Sequence, residues 1–258
     1  MPNRWLAIAI CAFWAVTMAL LIERDVLPHW KLGHRPDFRA VSKVAPTAEP
    51  VRWSIWYSDQ RVGRVQTQWL AKSDETILYR SEMELDQISF MPPMGIASAE
   101  KLRCESTFHI TADRNLRSFE IFIFWGDSRP TVTAQGNLEG DIMKVRFRTG
   151  GLVHDEQFYY EPHSLMTSSL APIGKLPNLA VGQKWQHRVM NPLWKTADTV
   201  RCEVTSEQVI TWHGEPTPTY LVEQRYGTLR ARCWVAYDGT VLRQEIPLGL
   251  EPLVLEHD

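Results

Sequence analysis

Thr219 to Ile246 reads TYLVEQRYGTLRARCWVAYDGTVLRQEI, and its side chains alternate with a period of two. In its middle, Leu229, Ala231, Cys233 and Val235 share one face, while Arg230 and Arg232 share the other, where Trp234 interrupts them. A helix would bring apolar residues back every three or four positions, so this is the pattern of a half-buried strand. Two breaks punctuate it. Gly227 marks one turn, and the pair Asp238-Gly239 can supply the two positive φ values of a type I′ turn, folding the strand that ends near Tyr237 back into Thr240 to Ile246. The stretch is a β-meander, and it sets the expected fold class: mainly β, as one long, curved, half-barrel-like antiparallel sheet.

The same alternation extends upstream. Trp53, Ile55 and Tyr57 alternate with Arg52, Ser54 and Trp56. After a turn at residues 58–60, further strands are expected at 62–70, 77–85, 102–110, 116–125, 131–135, 142–147 and 157–160. Ile121 to Trp125 is apolar at every position, which predicts burial on both faces. Phe90-Met91-Pro92-Pro93-Met94-Gly95-Ile96 cannot be a central strand because of its adjacent prolines, and reads as a loop with an apolar face. Ser164 to Leu170 is a short helix or an irregular crossover, followed by Pro172, Gly174 and Pro177; this is where the sheet divides into two halves. Strands resume at 185–189, 199–204 and 209–212.

The first part of the chain is different. Trp5 to Ile22 is an uncharged run of 18 residues preceded by Arg4, long enough to span a bilayer. The small-x-small site of a cleaved signal peptide is poorly matched by Thr17-Met18-Ala19, so the run is expected to stay as an anchor. Residues 23–50 carry mixed charge with Pro28, Pro36, Pro46 and Pro50 and read as a linker. The expected organisation is therefore an anchor over 1–22, a linker over 23–50 and a β domain over 51–258. Arg24, Lys31, Arg35 and Arg39 lean toward a cytoplasmic domain under the positive-inside rule. A short tail followed by a single apolar segment is nevertheless how exported, anchored domains begin. The expected placement is a single pass through the inner membrane with the large domain outside the cytoplasm.

Composition removes some functions. With 28 basic and 30 acidic residues interspersed, for a net charge of -2, there is no basic stripe, so nucleic acid is not an expected partner. The eleven tryptophans suit sheet packing, with an aromatic platform as the lesser reading. A thiol nucleophile needs a base beside it. Cys104 and His109 are near in sequence, but five positions along a strand they face opposite sides, and Cys104 reads as a buried structural thiol. Cys202 and Cys233 both fall on strands, and outside the cytoplasm a disulfide between them is open. No HExxH, Gly-rich phosphate loop or G-x-S-x-G elbow occurs, His29 and His34 sit in the linker, and His154-Asp155-Glu156 reads as a solvated turn. No catalytic residue, metal or cofactor is expected.

Three passages together carry a family resemblance: WSIWYSDQRVGRVQTQW at 53–69, LAVGQKWQHRVMNP at 179–192 and WVAYDGTVLRQEIPLGL at 234–250. They resemble the β-rich region that precedes the catalytic core of bacterial transglutaminase-like proteins. More distantly, the single curved sheet resembles the half-barrels of periplasmic lipoprotein carriers. The chain ends at Asp258, where the former continue into a Cys-His-Asp core, so the resemblance implies the accessory domain without the enzyme.

The reading that follows is a membrane-anchored, extracytoplasmic, non-catalytic β domain that binds a lipid or other apolar ligand, an extended ligand, or a partner protein. Phe90, Met91, Met94, Trp125 and Trp234 are the expected contact residues. An enzyme with an unfamiliar site in the concavity, and a structural envelope protein pairing through its sheet edges, are the alternatives.

Overall fold

The computed structural model describes residues 13–14, 16–18, 21, 49–71, 76–86, 101–111, 115–126, 129–160, 165–166, 172–191, 196–248 and 251–258. Its strands are β1 (Val51–Tyr57), β2 (Gln60–Ala71), β3 (Ile77–Leu85), β4 (Leu102–Ile110), β5 (Leu116–Trp125), β6 (Val132–Glu139), β7 (Ile142–Thr149), β8 (Leu152–Tyr159), β9 (Leu165–Met166), β10 (Lys184–Asn191), β11 (Thr196–Trp212), β12 (Glu215–Tyr226), β13 (Leu229–Ala236), β14 (Val241–Leu248) and β15 (Glu251–His257). They form one sheet in the order β8-β7-β6-β5-β4-β3-β2-β1-β15-β14-β13-β12-β11-β10-β9. The fold is thus mainly β, a long open antiparallel sheet in which, among the described residues, only the short β9 runs parallel to its neighbour.

The chain departs from a plain meander at one seam. β1 pairs with β15, Trp53 opposite His257 and Ile55 opposite Leu255, so two meanders run outward from the middle of the sheet. The chain passes from one meander to the other at the expected place, residues 164–177; the two halves meet through β1 and β15, and among the described residues the connection from β8 to β9 runs between the two edges of the sheet. β15 went unforeseen because Pro252 sits at its start, a position a strand tolerates. Residues 199–204 and 209–212 are parts of one 17-residue strand, β11, whose alternation shifts at an irregularity between Val204 and Ser206. His154, Asp155 and Glu156, expected in a turn, lie inside β8.

The turn at Asp238-Gly239 also differs from expectation. Only Gly239 has a positive φ, at 86°, and Val235 pairs with Val241. Ala236 N donates to Thr240 O at 2.8 Å, and Asp238 accepts from the Thr240 amide and hydroxyl, both at 2.8 Å. This is a three-residue loop with glycine at its left-handed position. Glycine is required there twice over, since a Cβ would stand 2.9 Å from the Pro177 Cα.

Trp53, Ile55, Val204, Val222, Val235, Leu253 and Leu255 are essentially inaccessible, though no second layer covers the sheet among the described residues. A single sheet buries such residues only by curling around them, so the apolar face is the concave one. Each such side chain contributes about 1.5–3 kcal/mol. One apolar cluster fills the curl of β1–β3 and β10–β15, and a second fills that of β3–β8. The outer face carries ion pairs such as Arg64–Glu84 at 2.6 Å and Lys184–Glu203 at 2.9 Å, and the half-buried Arg243–Glu245 at 2.9 Å. Opposite charges are interspersed on this face, and an exposed pair is worth ~1 kcal/mol or less. Ile121–Trp125 corrects the expectation of burial on both faces: Ile121 is buried inward, but Phe122 and Phe124 remain partly exposed, with the Arg103 guanidinium 4.1 Å from the Phe124 ring centre.

Among the described residues no helix is long and apolar enough to cross a membrane. Of the apolar run, Phe13, Trp14, Val16, Thr17, Met18 and Leu21 are described and helical, with Thr17 Oγ1 donating to Phe13 O at 2.8 Å.

Candidate functional site

Cross-strand register assigns each contact residue to a face, because paired residues point the same way. Leu85, Leu102 and Trp125 form one row with Ile55, and that row points inward. Trp234 pairs with Arg243, Arg243 with Glu256, Glu256 lies opposite Ser54, and the row continues through Arg64, Glu84 and Arg103 to Phe124, pointing outward. Trp125 and Trp234 therefore lie on opposite faces. The Trp234 indole N–H donates to Gln208 Oε1 at 3.1 Å, and the Arg243 guanidinium stands 5.4 Å from its ring centre, which ties it to the outer surface. Phe90, Met91 and Met94 lie outside the described residues, but the flanking Leu85 and Leu102 root their connection at the Trp125 end of the curl.

The two ends of the curl differ. At the end bearing the β13–β14 turn, residues 173–177 run beside the turn in extended form. Leu176 N donates to Gly239 O at 2.7 Å, Val241 N to Gly174 O at 3.1 Å, and the inward Gln244 Nε2 to Ile173 O at 3.3 Å. Leu176 is fully buried, and Ile173 and Leu179 join the first cluster. At the same end Tyr160, 1% exposed, accepts from Leu116 N at 3.4 Å and closes the second cluster. At the opposite end the inward face finishes in Leu102, Trp125, Val189 and Ile246, which touch the first cluster but stay only partly buried.

One polar strip crosses the inward face, and sequence reasoning missed its main contact. Cys202 Sγ lies 3.9 Å from His187 Nδ1, both buried, and Gln224 Nε2 donates to Cys233 Sγ at 3.3 Å. The signal was the β10–β11 register, with His187 opposite Val200 and Trp185 opposite Cys202, which needs the length of the intervening turn to be known. A thiolate nucleophile needs a depressed pKa. Burial instead pushes the Cys202 thiol up to about 12, and burial, then the nearby Cys202, pushes Cys233 up as well. Burial thus holds the Cys202 thiol in its protonated form beside His187, the opposite of an activated nucleophile.

Cys202 and Cys233 are both free, and β12 separates their strands by two spacings of roughly 4.8 Å, beyond the usual reach of a disulfide. Cys104 points inward, and burial, then Glu105, pushes its thiol up to about 11. Among the described residues no three His, Cys, Asp or Glu side chains are grouped to hold a metal ion.

Two shallow depressions lie on the outer face. One of about 480 Å³ is lined by Arg52, Arg61, Arg64, Glu82, Glu84 and Asp258 among others. The other, of about 460 Å³, lies between Trp56, Asp59, Arg243 and Glu256. Both mix charges of opposite sign.

No family model and no curated protein matches the sequence. Among solved structures, the chain is similar to the β-barrel-like protein of domain of unknown function DUF1849 from Brucella abortus, with a TM-score of 0.52 at 12% identity, over 83% of this chain and 98% of that one. A DUF1089 family protein from Pseudomonas aeruginosa aligns at 16% identity with a TM-score of 0.38, over 76% and 90% of the two chains. At such identities likeness speaks to fold alone, and the first comparison makes this chain a β-barrel-like domain.

Proposed function

We propose that the chain is a membrane-anchored, non-catalytic binding module. In this reading residues 1–22 hold it in the inner membrane, 23–50 space it, and residues 51–258 take an apolar or extended ligand, or a segment of a partner protein, outside the cytoplasm. The observation that carries the reading is the asymmetry of the curl. Among the described residues the chain itself seals one end, whereas the other finishes in partly buried Leu102, Trp125, Val189 and Ile246. Apolar surface left at the mouth of a concave sheet is where a hydrophobic guest gains most. The connection containing Phe90, Met91 and Met94 is rooted at that mouth and supplies adaptable apolar side chains to cover a guest. The sealed end supports the extended-ligand version, because residues 173–177 are themselves an extended segment held by main-chain bonds against this face. The three passages that resemble the region ahead of transglutaminase-like cores fit an accessory role of this kind.

Native mass spectrometry of the full chain released from membranes in lipid discs tests the reading. A co-purified lipid or peptide is expected, lost in Trp125→Asp. An empty protein that also fails to bind fatty-acyl and peptide probes overturns the binding role, and turnover of ester, peptide or glycoside substrates overturns the non-catalytic part. Protease added to spheroplasts should degrade the domain; protection would place it in the cytoplasm.

A further inference from the structure

The sheet has two free edges, and they are unequal. β9 is two residues long, whereas β8 is eight, and among the described residues no strand pairs with its outer side. Leu152, Val153 and Tyr159 are 78%, 55% and 63% exposed. β8 contains no Pro or Lys and no irregularity interrupts its pairing with β7, so of the devices that guard an edge it carries only the charges of Asp155 and Glu156. Its main chain is also oriented for use. Tyr160 N donates to Asp141 O at 2.8 Å, and the register carries that phase along the strand, so the even-numbered residues bond to β7. The N–H and C=O groups of Val153, Asp155, Gln157 and Tyr159 therefore point away from the sheet.

We infer that β8 pairs antiparallel with β8 of a second copy of this chain, across a two-fold axis through Asp155. In that register the outward groups of Val153 meet those of Gln157 of the second copy, and Asp155 meets itself. On the inward face Leu152 stands opposite Phe158 and His154 opposite Glu156, an apolar pair and a hydrogen-bonding pair, each occurring twice by symmetry. His154 and Glu156 already attract one another within a strand, Nε2 to Oε1 at 2.5 Å. The like charges at the axis are compensated, because each Asp155 carboxylate accepts two bonds from its own Arg146, at 2.7 and 3.0 Å. Sliding by two residues either way shortens the overlap and sets His154 opposite His154, or Glu156 opposite Glu156. The strand is self-complementary in one register, which selects a second copy over an unrelated strand. The pairing is independent of any ligand in the concavity.

Cross-linking of the full chain in lipid discs, in a Cys11→Ser background, tests the register. Leu152 and Phe158 are six residues apart, roughly 20 Å along a strand, so they cannot join within one chain. On mild oxidation a mixture of Leu152→Cys and Phe158→Cys chains should give a disulfide-linked dimer, and either variant alone should give none. Gln157→Pro removes an outward N–H without touching the β7 ladder, and should weaken dimerisation roughly tenfold or more while leaving the circular-dichroism spectrum unchanged. A wild-type chain that stays monomeric at tens of micromolar, or a mixture that does not cross-link, overturns the inference, including the case in which the chain's own residues cover β8. If Gln157→Pro fails to fold, the cross-link decides.

Discussion

Phe119 on β5 fills the space that a side chain at Gly136 on β6 would occupy. The two are directly opposed in the register, and a Cβ on Gly136 would overlap the ring, standing 2.6 Å from Cδ1. Phe119 is the last of a row of tilted rings, Trp69–Tyr79–Phe108–Phe119, with centroid separations of 4.5, 6.0 and 6.3 Å. The glycine leaves a gap in the inward face that the final ring covers, a pairing that stabilises sheets where they must curve.

Gly136→Ala should therefore destabilise the protein by about 1–3 kcal/mol through overpacking. In chemical denaturation the midpoint would fall with no change in slope. In a Phe119→Leu background the same substitution should cost less, and equal costs in the two backgrounds would show that the ring and the glycine are not coupled.

The three cysteines of the β domain, Cys202 and Cys233 buried and Cys104 half-buried, should behave as neutral thiols. Burial pushes Cys104 up to about 11 and Cys202 up to about 12. In the folded full chain at pH 8, all three should react with an aromatic disulfide reagent at least 100-fold more slowly than free cysteine, and at ordinary rates in denaturant. Rapid labelling of Cys202 in the native state would mean that His187 does activate it, and would reopen the case for thiol chemistry.

Strand positions were legible wherever one face is buried and the other wet, because alternation then has no competing explanation. β3, β4 and β5 lie where their patterns place them. Legibility failed where something other than the pleat decides. The irregularity at Val204/Ser206 offsets the alternation and made one strand read as two. Phe122 and Phe124 are apolar yet outward, because an arginine from the next strand lies over Phe124. The pairing of β1 with β15 joins residues about two hundred positions apart, and no local pattern encodes it. The site suffered most from this. Trp125 and Trp234 look equivalent in sequence and lie on opposite faces, and the Cys202–His187 contact exists only once β10 and β11 are in register.

Residues 173–177 should be loosened by the loss of one side-chain amide. Gln244 is buried, and its Nε2 donates to Ile173 O at 3.3 Å. Gln244→Leu keeps the volume and leaves that carbonyl unpaired, at a cost of about 1–3 kcal/mol. The local consequence is sharper than the global one. Exchange of the Leu176 amide, which is bonded to Gly239 O, should quicken by more than the loss of stability explains, while amides in β3 and β4 follow the global change. Uniform acceleration across the sheet would mean that the segment has no opening of its own.

His257 makes stability depend on pH in a direction that can be fixed in advance. It lies beside Trp53, ring centroids 5.1 Å apart, and burial lowers its pKa from 6.5; the nearby Asp258 opposes this and His213, with Nε2 3.4 Å from His257 O, adds to it. The unfolded chain therefore binds the proton more readily than the folded one. Stability from this group is full above 6.5 and is lost as the pH falls from 6.5 through the depressed folded value, below which the loss levels off. The denaturation midpoint of the full chain should drop between pH 7.5 and 5.5, and in His257→Gln the drop should be smaller. His213→Gln should also reduce it, because removing a neighbouring imidazole raises the His257 pKa toward its ordinary value. A steeper drop in His257→Gln than in the wild type would reverse the sign and show that the folded state favours the charged ring.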